Sequence, residues 1–128
     1  MRRGTISASG GRRAWLPALV VLGSLLLPAP ARAETGVAAR GSRFEPAQVT
    51  VPAGETVVWT NNDSAGHTVT ADNGSFDSHP ACGGIGGACM TRGETFSHTF
   101  STPGTVAYYC KLHGNPGGKG MAGTVTVT

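Results

Sequence analysis

Tyr108-Tyr109-Cys110-Lys111-Leu112-His113-Gly114-Asn115-Pro116-Gly117-Gly118-Lys119-Gly120-Met121 is the stretch that decides how this 128-residue chain reads. The β-branched and aromatic run Thr105 to Tyr109 predicts a strand that ends by delivering Cys110. A Gly/Pro-rich loop then presents His113 and returns Met121 at the start of a closing strand, Ala122 to Thr128. One short loop therefore supplies a thiol, an imidazole and a thioether.

Upstream of this loop the pattern is that of short strands between turns. Gln48 to Val51 alternates polar and apolar residues, and Pro52-Ala53-Gly54-Glu55 turns the chain. Thr56 to Asn61 (TVVWTN) is β-branched and aromatic, which suits a strand lying on a core. Asn62 to Gly66 is a loop, and His67 to Ala71 alternates again. Residues 72 to 93 read as one long polar, Gly-rich loop. Thr95 to Phe100 is a strand with Phe96 and Phe100 at the two ends of one face, followed by a Pro103-Gly104 turn. A first strand is faint over Gly36 to Ser42. About seven short strands at this turn spacing predict an all-β fold, a single antiparallel β-sandwich.

The donor types define a chemistry. His67 opens a strand after its own loop and adds a second imidazole to Cys110, His113 and Met121. Two His, one Cys and a weak axial Met are the donors of a redox copper site: sulfur suits Cu(I), while imidazole and thiolate serve Cu(II). A rigid sandwich would hold them still as the charge changes. Plainer readings are a structural Cys110, a loop His113 or His67 and a core Met121; the Cys-x-x-His spacing in an exported chain outweighs them. His98, inside the TFSHTF strand, reads as a surface residue. His79, before Pro80, could serve a second metal, and Met90 reads as packing.

The first third belongs to something else. Arg2, Arg3, Arg12 and Arg13 precede an apolar run from Ala14 to Pro28, and Ala31-Arg32-Ala33 follows. Basic, apolar and small-x-small segments in that order predict a signal peptide over 1–33 and a folded domain over 34–128. Arg12-Arg13-Ala14-Trp15-Leu16 also fits a twin-arginine export signal. The run is short of the roughly 20 residues that span a bilayer. The whole chain carries a formal charge of +3, but five of its ten Lys and Arg lie in 1–33. The remainder sets five bases against seven acids, a formal charge of −2, so the basic excess gives no reason to expect nucleic acid. In an exported protein Cys82 and Cys89, flanking a flexible Gly-rich loop, read as a disulfide rather than half of a zinc site. Cys110 is then left over, and a bound metal would protect it from oxidation.

These motifs resemble the plastocyanin/azurin family of cupredoxins, most of all small bacterial plastocyanin-like and halocyanin-type proteins. The resemblance runs over nearly the whole of 34–128 and includes Phe44-Glu45-Pro46, Val57-Val58-Trp59-Thr60-Asn61, His67-Thr68-Val69, Pro103-Gly104 and the Tyr109-to-Met121 loop. It implies a Greek-key cupredoxin sandwich, one type 1 copper ion on His67, Cys110, His113 and Met121, and single-electron carriage outside the cytoplasm. It also implies redox protein partners such as a c-type cytochrome, a membrane respiratory complex or a copper enzyme. Leu112, Pro116, Ala65 and Gly66 would rim an exposed His113 edge where such a partner docks. Two departures stand out. Seven residues, mostly Gly, separate His113 from Met121, and Thr68 stands where many relatives have an Asn that ties the ligand loops together.

An enzyme is the weaker alternative. Tyr109 and Lys111, not His, flank Cys110, so the route to the second copper cluster of multicopper oxidases is missing. A single Cys in the loop cannot build a dinuclear electron-entry centre. A copper-delivery protein without electron traffic is the other alternative, although a thiolate ligand favours reversible redox chemistry.

Overall fold

Strict alternation shapes the two long inner strands. In the computed structural model, which describes residues 4–6, 10–12, 14–28 and 32–128, β4 (Glu55–Asn61) buries Val57, Trp59 and Asn61 and turns the residues between them outward. β8 (Lys119–Val127) buries Met121, Val125 and Val127 in the same rhythm. A period of two places each set on one face, so the two strands cover a shared core from opposite sheets.

The remaining strands are β1 (Glu34–Arg40), β2 (Arg43–Glu45), β3 (Gln48–Val51), β5 (Thr70–Ala71), β6 (Thr95–Phe100) and β7 (Gly104–Asn115). One sheet runs β2-β1-β4-β6 and the other β3-β8-β7-β5. The β-sandwich is as expected, but its strands are mixed rather than wholly antiparallel. β1 pairs with β4, and β3 with β8, in parallel. The cause is a change of sheet: only Pro46 and Ala47 separate β2 from β3, so the chain crosses over there and returns to β1 from the far side. The first strand also begins earlier than its faint pattern suggested, and Gly41-Ser42 belong to the turn that joins β1 to β2, with Arg40 facing Arg43.

Trp59 is the centre of the core. Its ring lies 5.3 Å from Tyr108 at an interplanar angle of 78°, and Phe76, Phe96 and Phe100 pack around it at 5.8–6.4 Å. Such edge-to-face and tilted contacts add to the apolar burial itself. Phe76 and Met90 come from the long segment between β5 and β6, which the sequence marks as polar loop yet which plugs one side of the core. Cys82 and Cys89 form the expected disulfide.

Residues 14–28 carry no helix or strand, and their large apolar side chains are exposed. Among the described residues no helix is long and apolar enough to cross a membrane. Part of the expected signal peptide, including Arg2, Arg3, Arg13 and Ala31, lies outside the described residues.

Candidate metal centre

β7 and β8 build most of the site by a mismatch in their pairing. Tyr109 faces Ala122 and Gly114 faces Gly120, so the four residues 110–113 stand opposite Met121 alone. This bulge breaks the ladder and turns the Cys110 sulfur and the His113 imidazole toward one point, 3.6 Å apart. It works because the hairpin closes without side chains. A Cβ on Gly114 would lie 2.5 Å from the Met121 carbonyl oxygen, and one on Gly120, whose φ is +67°, would lie 2.5 Å from that of His113. Strand pairing thus continues past Cys110 to Asn115, and what the sequence marks as a loop is largely a tight hairpin.

His67 comes from the segment that leads from β4 in one sheet to β5 in the other. Its backbone forms an isolated two-way bridge with Met90, N–H to O at 3.2 Å and O to N–H at 2.9 Å. Asn61, the last inward residue of β4, organises the loop beneath it. The Asn61 amide donates to the carbonyls of Ala65 (2.9 Å) and Met90 (2.8 Å), and its oxygen accepts the Asp63 N–H (2.8 Å). Cys89 packs against Gly66, where a Cβ would lie 3.0 Å from the cysteine's own. The disulfide therefore braces the chain next to His67.

The donor atoms converge. His67 Nδ1 lies 3.1 Å from His113 Nδ1, and the Cys110 sulfur lies 3.7 Å and 3.6 Å from the two nitrogens. A trigonal metal with bonds of about 2.0 Å to imidazole and about 2.3 Å to thiolate separates its donors by roughly 3.5–3.7 Å. The three side chains fit one ion at their centre, and among the described residues this is the one such group of His, Cys and acidic side chains. His67 and Cys110 are wholly buried, Met121 is 1% exposed, and only His113 reaches the surface.

The surroundings fix protons and positions. Asp63 Oδ2 lies 2.8 Å from His67 Nε2 and can only accept, so Nε2 carries the proton and Nδ1 offers a lone pair to a metal. The backbone N–H groups of Ser42 (3.0 Å) and Gly41 (2.8 Å), and then His67, hold the Asp63 carboxyl down at about 2. The Thr68 N–H points at the Cys110 sulfur at 3.4 Å, and the Thr68 hydroxyl accepts the Lys111 N–H at 2.9 Å. Thr68 thus links the two ligand segments, although it stands where many relatives have an Asn. Lys111 reaches the other way, to Asp77 (2.8 Å) and the carbonyls of His79 (2.8 Å) and Pro80 (3.1 Å).

The other candidate histidines serve structure. His79 is engaged by Glu94 at 3.0 Å and Ser78 at 3.2 Å. His98 is half-buried rather than free on the surface, with its ring 4.6 Å from Phe76 and 4.8 Å from Phe100. The role of Asp63 was missed in the sequence, because a lone Asp in a polar loop carries no local signal. Its spacing of four residues before His67 was the one available hint.

A two-sheet sandwich with a His-Cys-His cluster, buried except for His113, defines a cupredoxin, a carrier of single electrons on one copper ion. Residues 31–128 match the copper binding proteins of the plastocyanin/azurin family, and the chain belongs to that family. It is 37% identical over 132 aligned positions to the chloroplastic plastocyanin of Oryza sativa subsp. indica, covering 95% of this chain and 80% of that protein. It is 36% identical to the plastocyanin of Prochlorothrix hollandica, covering 85% and 86%. Among solved structures, amicyanin from Paracoccus versutus superposes with a TM-score of 0.56 at 29% identity, covering 79% of this chain and 86% of that one.

Proposed function

We propose that His67, Cys110, His113 and Met121 together ligate the copper ion, and that the domain 34–128 works outside the cytoplasm after residues 1–33 have directed its export. The observation that carries the ligand set is the convergence of two imidazole nitrogens and one thiol within 3.1–3.7 Å, with Met121 buried opposite them. Bound copper supplies a one-electron couple between Cu(I) and Cu(II). The chain's own residues hold the donors in place. Asp63 and the Met90 bridge fix His67, Thr68 steadies the Cys110 sulfur, and the Gly114–Gly120 crossing fixes the backbone that carries His113 and Met121. A frame braced at each donor changes little between oxidation states, which keeps the reorganisation per electron small.

His113 is the exposed edge of this otherwise buried cluster, and Leu112, Pro116 and Ala65 are exposed in the segments beside it. That rim supports docking of a redox protein there, such as a c-type cytochrome, a membrane respiratory complex or a copper enzyme. The protein works as a carrier rather than an enzyme, acting as a monomer, and its location is periplasmic, cell-envelope or extracellular. The test is a Cu(II) titration of wild type and Cys110→Ser. Wild type saturates at one equivalent with an intense visible thiolate-to-copper band, and the variant loses the band. A band that survives in Cys110→Ser overturns the ligand assignment.

A further inference from the structure

We infer that Asp63 is a positioning residue for His67, clamped in place by the β1–β2 turn, and that its carboxylate lowers the reduction potential of the copper site. The inference rests on the copper reading of the His-Cys-His cluster. Its geometric basis is a chain of contacts that crosses the molecule. Gly41 and Ser42 form a two-residue turn in which both have positive φ, +58° and +54°. Successive residues in that conformation point their N–H groups to one side and make a small anion-binding concavity. Both N–H groups donate to Asp63, one to each carboxylate oxygen. Oδ2 also accepts from His67 Nε2 at 2.8 Å. The Asp63 N–H is itself fixed by Asn61.

Ser42 makes the arrangement informative. A residue with a Cβ in the left-handed region costs about 1–2 kcal/mol. Such strain persists where surrounding contacts over-determine it, and it gathers at functional sites. Here the contact is with a carboxylate whose other partner is a buried imidazole of the metal cluster. The clamp has two consequences for the site. It fixes His67 as the Nε2–H form, aiming the Nδ1 lone pair at Cys110 and His113. It also places a full negative charge against the far side of a ligand. Oxidation adds a positive charge to the site, so that carboxylate favours Cu(II) over Cu(I). A carboxylate on a ligating His raises its basicity in the same direction.

The experiment compares the full chain with Asp63→Asn and Asp63→Ala. Asp63→Asn removes the charge and keeps the shape; Asp63→Ala removes the clamp. The midpoint potential is followed through the thiolate band, and nitrogen-15 NMR of the metal-free protein reports which His67 nitrogen carries the proton. The expected result is a band in all three proteins and a fall of about tenfold in the Cu(II):Cu(I) affinity ratio in both variants. For a one-electron couple that is a rise of about 59 mV. Wild-type His67 is a single Nε2–H tautomer, and Asp63→Ala mixes the two. Potentials within twofold of the wild-type ratio in both variants, or a wild-type His67 protonated at Nδ1, overturn the inference. If Asp63→Ala fails to fold, Asp63→Asn alone decides. A wild type with no thiolate band overturns the copper reading and this inference with it; bands in all proteins with unmoved potentials overturn only the role given to Asp63.

Discussion

The two halves of the donor cluster are built in different ways. Cys110 and His113 come from one hairpin, where four residues oppose Met121 alone between two paired strands. His67 comes from a loop whose position depends on Asn61, Asp63 and Met90 and, through Asp63, on the Gly41-Ser42 turn. The hairpin is held by local backbone geometry and the loop by distant contacts. A local device tolerates change outside itself but not within. A distributed one weakens by degrees as single contacts are lost.

Substitutions test that contrast. The largest effect is expected for Cys110→Ser, which removes the thiolate band altogether while His67 keeps its bonds to Asp63 and Met90. Next comes Gly114→Ala. Its Cβ meets the carbonyl oxygens of Met121 at 2.5 Å and Lys119 at 2.8 Å, so the hairpin has to open. Overpacking of this kind costs about 3 kcal/mol. Chemical denaturation reads the loss, and the band should weaken because His113 and Met121 move together. Undiminished stability in Gly114→Ala contradicts the close crossing.

Asn61→Ala strikes the other half. It deletes three hydrogen bonds in the buried base of the loop, takes the Asn61 donor from the Ala65 carbonyl and leaves that of Met90 with only the His67 N–H, at about 2 kcal/mol. The band should persist, since Cys110 and His113 are untouched, while copper affinity falls. A variant that loses the band outright would show that the two halves are not separable.

The smallest effect lies away from both halves. Burial against Phe76 and Phe100 pushes the His98 imidazole below its ordinary 6.5. The unfolded chain then binds the proton more readily than the folded one, so the stability that His98 contributes is present above pH 6.5 and is lost as pH falls through the lower folded value. Thermal melts of wild type between pH 7 and 5 should show a slope that His98→Gln flattens, with the visible band unaltered. An identical slope in His98→Gln contradicts the assignment.

The same contrast explains what the sequence made readable. The meeting of Cys110 and His113 was legible because their spacing is local, and so was the sandwich, because alternation over Thr56 to Asn61 and at the C-terminal end marks inward faces. Strand direction was not legible. A parallel and an antiparallel neighbour ask for the same alternation, so the β1–β4 and β3–β8 pairings left no trace in the pattern. Phe76 and Met90 were hidden as single apolar residues in a polar stretch, although both are buried in the core. The support of His67 was hidden for a related reason: Asp63 meets Gly41 and Ser42 across 22 and 21 residues. Thr68 drew notice only because many relatives have an Asn at its place.

Whether Cys110 is the thiolate of a reversible one-copper site is read from the visible spectrum of the Cu(II)-loaded protein before and after ascorbate. The expected result is an intense blue or green band at one copper per chain that bleaches on reduction and returns with oxidant. A folded protein that binds one copper without colour would contradict it, because the buried sulfur at the centre of the cluster would then not be a ligand.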